Sequence, residues 1–201
     1  TGDNHAISIV GALNKSRMHF QGANTGSAST DGLVIGLSSS DDTNDDSALI
    51  GLKESGSLTL QTNNTNHLII DGNGHVTMPK QSAFMAYLSS STFNLANGSA
   101  QTLSFQTEQF DLNADFASNT TFTAPVSGHY FFGCSMLIDD NTGTGAIHHF
   151  TFFKNGSFYA RAGYDIRNSD RSGNYGPHMS NTCVAYLAEN DYMTVRMDAA
   201  G

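Results

Sequence analysis

The sequence predicts an all-β protein, and three observations carry that expectation. From His129 onward every second residue is apolar, so that Tyr130, Phe132, Cys134, Met136 and Ile138 would share one face of a strand. Elsewhere the apolar runs are four to six residues long and bounded by Gly, Asn or Asp, the punctuation of short strands. Gly, Ser, Thr and Asn are abundant while charged residues make up only 13% of the chain, a mixture suited to strands joined by tight turns. A face carrying Tyr130, Phe132 and Met136 needs an opposing sheet to cover it, so a β-sandwich is the expected solution.

The aromatic residues divide the chain. Of its 13 Phe and 7 Tyr, only Phe20 precedes Pro79. A segment that long with one aromatic ring cannot build a sizeable core of its own. It nevertheless carries strand-like runs at 32–37, 48–52, 57–60, 68–70 and 75–78, and an Ile-Gly-Leu element that recurs at Ile35 and Ile50. Short apolar strands unable to bury themselves alone point to association between chains. Residues 1–79 are therefore expected to form a β-rich shaft segment, and residues 80–201 a separate head. Between two of the shaft strands lies Asp41-Asp42-Thr43-Asn44-Asp45-Asp46, which reads as a solvated loop whose charges oppose edge-to-edge pairing; it has no EF-hand spacing.

The run Gly56–Pro79, with its Thr-Asn stretch, short Ile strand and Asp71-Gly72-Asn73-Gly74 turn, resembles the repeating segment of bacteriophage tail-fibre and tail-spike shafts. That resemblance implies three chains wrapped together, each covering the others' strands.

The head is organised around Phe105–Phe132. Here Asn119–Thr123 reads as one strand, Pro125 ends it, and Gly128 allows re-entry into the next. Phe105, Asp111, Phe116, Phe122, Gly128, Tyr130 and Phe132 resemble the signature of the C1q-like domain, the jelly-roll module related to tumour necrosis factor. The 116–122 gap is one residue shorter than that family's spacing, and Cys134 stands where it has an aromatic. Tyr186-Leu187-Ala188-Glu189-Asn190-Asp191 is similar to the family's closing Leu-x-x-Gly-Asp turn, with Asn190 in the Gly position, a mild change because Asn tolerates the left-handed conformation. The resemblance covers residues 80–201 and implies a jelly-roll head that assembles as a homotrimer. Further head strands are expected at 84–88, 103–105, 147–154, 157–162, 180–187 and 192–197, with turns at Asn97-Gly98 and Asn155-Gly156.

Nothing in the sequence assembles a catalytic constellation. Gly-x-Ser-x-Gly, Cys-x-x-Cys and His-Glu-x-x-His are all absent, so no enzyme activity and no cofactor is expected. His148 and His149 are adjacent on a strand and point to opposite faces, so within one chain they cannot share a metal. Asp139 and Asp140, followed by Asn141 and Gly143, resemble half of a calcium loop, which makes Ca2+ the one ion to test. Cys134 and Cys183 are read as inward-facing thiols, with a disulfide open if their Cβ atoms approach within about 4.5 Å. Five Asn-x-Ser/Thr sequons, at Asn14, Asn63, Asn97, Asn119 and Asn155, follow from the abundance of those residues.

The expected contact surface is the long irregular stretch from Tyr164 to Tyr175, where Tyr164, Arg167, Asp170, Arg171 and Tyr175 combine aromatic area with directional polar groups. A net charge of −9, with only nine Lys and Arg and no basic cluster, disfavours nucleic acid and anionic membrane as partners. No run of about 18 apolar residues is present to span a membrane. The chain opens on Thr1 and is expected to be part of a longer protein. Together these readings point to the distal tip of a virion tail fibre that adheres, outside the cell, to a host-surface glycan or outer-membrane protein. Neutral glycan suits the charge better than a polyanion. A secreted, non-viral C1q-like protein-binding module is the alternative, although it would usually carry a collagen-like stalk that is missing here.

Overall fold

Every regular element of the described residues is a β-strand. The structure, a computed structural model, describes residues 17–28, 30–38, 47–89, 100–137, 147–164 and 178–200. The chain divides into two compact units, Thr1–Lys80 and Gln81–Gly201.

The first unit contains two antiparallel meanders. Strands β1 (Arg17–Phe20), β2 (Leu33–Ser38) and β3 (Ser47–Leu52) form one, and β4 (Leu58–Thr62), β5 (Thr65–Ile70) and β6 (Val76–Thr77) form the other. The Ile-Gly-Leu repeat is a register device: Ile35 pairs with Ile50, Gly36 with Leu49 and Val34 with Gly51. Asn63 and Asn64, at φ 49° and 56°, make the tight turn between β4 and β5, where Asn accepts a conformation that most residues resist. The next turn is held by Asp71, whose Oδ1 accepts from the Asn73 and His75 amides at 2.9 Å each. At Gly32, with φ +81°, a Cβ would strike the Phe20 carbonyl. Glycine there lets the backbone donate to Glu54 Oε1 at 2.8 Å and accept from Lys53 N at 2.9 Å.

The second unit begins with β7 (Phe84–Tyr87), β8 (Gln101–Thr102), β9 (Thr107–Asp111), β10 (Phe116–Ala117), β11 (Thr121–Thr123) and β12 (Gly128–Leu137). It continues with β13 (Ile147–Lys154), β14 (Ser157–Tyr164), β15 (His178–Leu187) and β16 (Tyr192–Ala200). One antiparallel sheet runs β10-β11-β16-β13-β14, with β8 also on β16; β12 pairs with β15, and β7 with β9. The core lies between the large sheet and these two ladders. Phe116, Phe122, Phe152 and Met193 from the first meet Phe132, Ala185 and Leu187 from the β12–β15 ladder, with Phe84 and Ala86 packed against them. Leu103, Phe150, Met179 and Met197 form a second cluster, bordered by Cys134 and Met136.

The spaced aromatics of the sequence converge in this core. Phe84 stacks on Phe116 at 4.7 Å, Phe122 contacts both Tyr130 and Phe132 at 5.3 Å, and Phe132 reaches Phe152 at 6.1 Å. Asp111 acts on the backbone, accepting from Asp115 N at 3.2 Å and Phe116 N at 2.9 Å, which fixes the corner between β9 and β10. Asn155 and Gly156, at φ 48° and 76°, form the expected two-residue turn, and Asn190 is left-handed at φ 68°.

Two local expectations are corrected. The strand anticipated over 119–123 begins only at Thr121, because Ser118 and Asn119 sit at φ 55° and 59° and turn β10 back onto β11. The strand anticipated over 103–105 lies at Gln101–Thr102; Leu103 instead plugs the second core cluster, fully buried. A separate strand, Thr107–Asp111, pairs with β7. Asn97-Gly98 and residues 41–46 fall outside the described residues.

The two cysteines face the core as free thiols. They are diagonal neighbours, since Cys134 pairs with Asn181 and Cys183 with Phe132, and diagonal partners on a ladder stand about 7–8 Å apart. That separation does not suit a disulfide. Burial pushes the Cys134 thiol up to about 12, so it stays protonated at neutral pH and is a poor nucleophile. Thiol reagent at pH 8 is expected to leave Cys134 unmodified in the folded protein and to modify both cysteines in concentrated urea. Rapid labelling of Cys134 under native conditions would contradict its half-buried position against the core.

Candidate functional site

The residues expected to bind calcium and those expected to contact the host belong to two different segments. Asp139 and Asp140 lie outside the described residues, as do Arg167, Asp170, Arg171 and Tyr175. Of Tyr164 the backbone is described, as the last residue of β14, paired with His148. The register places the anchors of both segments at one end of the head. Leu137, which precedes 138–146, pairs with His178, which follows 165–177. On the large sheet, the residues at the opposite junctions, His148 and Tyr164, pair with each other. The Phe150–Met179–Met197 cluster braces that end from inside. Buried Asn181 adds a polar tie across the layers, its Nδ2 donating to the Phe150 carbonyl at 3.2 Å and the Ala160 carbonyl at 3.4 Å.

The opposite end is closed by a polar network centred on Asp191. Its Oδ1 accepts from Asn155 Nδ2 at 2.7 Å, and its Oδ2 takes Lys154 Nζ and the Ala188 amide, each at 2.9 Å. The Asn155 and Lys154 hydrogen bonds, followed by the Ala188 amide, lower the Asp191 pKa to about 2. A carboxyl depressed from 3.8 contributes stability above pH 4, and that contribution disappears as pH falls through about 2. Asp191→Asn is expected to flatten the acid limb of the stability profile in that window. An unchanged acid limb in the variant would show that the network does not couple to folding.

The described surface carries an unusual apolar face. Neither β12 nor β15 contains a single Asp, Glu, Lys or Arg. Their inward residues feed the core, while the outward row pairs His129 with Tyr186, Phe131 with Val184 and Gly133 with Thr182. Phe131 is 72% exposed, and Val184 and Tyr186 are each more than half exposed. The His129 ring meets Tyr186 edge-on at 5.3 Å. These side chains present on the order of 300–400 Å² of apolar surface, within the range of the largest patches on monomeric proteins, which are often functional. Depletion of charge with retention of aromatics is the composition of an interface core.

The first unit shows the same imbalance more strongly. Among its described residues Val34 is the one fully buried apolar side chain, while Phe20, Ile50, Leu60, Val76 and Met78 are all more than half exposed. The alternation that exposes Phe131 and Val184 is present in the sequence, but the apolar signal at Tyr130, Phe132, Cys134 and Met136 marks only the inward row. A scan for strands lacking charge on both faces would have found the outward one.

No catalytic arrangement emerges from the described residues, and no group of three or more His, Cys, Asp and Glu gathers there as a metal site. His149 Nδ1 lies 3.0 Å from Asp198 Oδ1, close enough for an ion pair when the imidazole is protonated but off the line of a hydrogen bond. No protein-family model matches the chain, and no curated protein matches it.

Proposed function

We propose that this chain is the distal part of a bacteriophage tail fibre, a homotrimeric adhesin. Residues 1–79 would form the end of an intertwined β shaft, and residues 80–201 a C1q-like jelly-roll knob. The observation that carries this reading is the first unit's burial pattern: one fully buried apolar side chain against five that are largely exposed among its described residues. Two sister copies would supply the missing cover. The uncharged outward face of β12 and β15 supports the same assembly in the head. The segment expected to contact the host and the one carrying the expected calcium loop are both anchored at one end of the knob, so a trimer would present three copies of each.

Adhesion by such a tip needs no chemistry beyond binding. Weak single sites gain through multivalency, by a factor of about 10² to 10⁴ where geometry permits. Two measurements test the proposal. Light scattering on the purified protein is expected to give about three times 21.4 kDa, and a stable species of 21.4 kDa would sink the shaft assignment. Added protein is expected to compete with virus adsorption to host cells. Failure to compete by a protein that is trimeric would shift the reading to a secreted C1q-like module.

A further inference from the structure

The outward face of the large sheet carries a row of side chains separate from the subunit contact proposed on β12 and β15. Cross-strand pairing aligns Thr102 with Arg196, Arg196 with Thr151, and Thr151 with Arg161. Two of the chain's nine basic residues therefore flank one threonine. Thr151 is almost fully buried and accepts from Arg161 Nε at 3.3 Å. Both guanidinium groups are held against rings: Arg196 Cζ lies 4.2 Å from the Phe153 centroid and Arg161 Cζ 5.4 Å from that of Phe158.

Their counter-charge is unequal. Asp198 reaches Arg161 NH2 at 3.5 Å and His149 Nδ1 at 3.0 Å. Arg196 has no carboxylate at ion-pair distance among the described residues, and its Nε is buried without a hydrogen-bond partner. Beside it, Thr194 is also nine-tenths buried with an unpartnered Oγ1. In a chain of net charge −9, a guanidinium held over a ring, with an unpartnered Nε and no acid at ion-pair distance among the described residues, is an exception that calls for an acceptor.

We propose that this face is an oxyanion-binding site centred on Arg196, taking a carboxylate or phosphate substituent of a host-surface glycan. The proposal rests on the adhesin reading and refines its ligand. The fork of Arg196 would hold two oxygens side by side, the geometry for which guanidinium is better suited than ammonium. Arg161 would add long-range attraction, since strands two places apart put it about 10 Å away. The overall negative charge still disfavours a dense polyanion; an isolated acidic group on a mostly neutral glycan satisfies both constraints.

The test uses immobilised dextran, lightly carboxymethylated dextran and lightly phosphorylated dextran as probes for the full chain. Retention on one or both acidic matrices, falling as salt rises, is expected to exceed that on plain dextran, and the stronger matrix identifies the oxyanion. Arg196→Met keeps the apolar stem over Phe153 and is expected to lose about tenfold in retention without a lower thermal midpoint. Arg196→Lys is expected to recover only part of it. Lys80→Met makes the same charge change at an exposed position and is expected to bind as the parent does. Equal retention on all three matrices, or equal losses in Arg196→Met and Lys80→Met, overturns the site. If the parent blocks virus adsorption and Arg196→Met blocks it equally well, the adhesin reading stands and this site falls. If the parent fails to block adsorption, the adhesin reading falls whatever the matrices show.

Discussion

Phe131→Asp is expected to convert the proposed trimer into a concentration-dependent one, with the measured mass falling from about three times 21.4 kDa toward 21.4 kDa at micromolar protein. The residue is 72% exposed in the single chain, opposite Val184 on a ladder free of charged residues. In the proposed assembly it is a buried aromatic anchor, and truncating such an anchor costs about 2 kcal/mol or more per interface. Aspartate adds the cost of desolvating a charge with no cation on either strand to pair with it. A trimer carries three copies of the change, so the dissociation constant is expected to rise by at least about 100-fold. Val126→Asp provides the comparison, being similarly exposed but in the turn before β12, and is expected to leave the mass unchanged. A Phe131→Asp protein of unaltered mass on dilution would remove this face from the subunit contact, while the mass of the parent protein tests trimerisation separately.

What the sequence disclosed follows from what periodicity can encode. The inward row of β12 was legible because Tyr130, Phe132, Cys134 and Met136 recur every second residue, and the Asn155-Gly156 turn because few dipeptides adopt that conformation. The all-β class followed from the same signals. Strand pairing was not legible. That Phe131 lies beside Val184, or that Arg161, Thr151 and Arg196 form one row, depends on register between strands up to 53 residues apart. Arg196, Asp198 and His149 likewise look like ordinary strand residues until β13 and β16 are aligned. The expected contact loop raised a different problem. Its composition singled it out, yet composition says nothing of where a loop is mounted; the pairings of Leu137 with His178 and of His148 with Tyr164 supply that. The displaced strand at 101–102 has a comparable cause: Leu103 and Phe105 are the apolar residues, but they are consumed by the core rather than by a ladder.

Phe150→Ala tests whether the second core cluster supports the end of the head at which residues 138–146 and 165–177 are anchored. Phe150 has no exposed surface and lies in the cluster of Leu103, Met179 and Met197, beside Phe152 at 6.4 Å. Those neighbours come from four separate parts of the chain, and each is fixed by its own strand or strand end, so they cannot close over the space left by a ring. The expected cost is about 3–5 kcal/mol, a large share of the 5–15 kcal/mol typical of a domain. It should appear in urea unfolding at fixed protein concentration as a lower midpoint with unchanged slope. Phe158→Ala removes the same ring from a site 58% exposed on β14 and is expected to cost far less, within about 1 kcal/mol. If the proposed adhesin role holds, the Phe150 variant should also lose competition with virus adsorption before it loses its strands, because Met179 follows the 165–177 segment and Phe150 follows 138–146. Equal stability losses in the two variants would mean that the Phe150 pocket is not the rigid mount on which that end of the head depends.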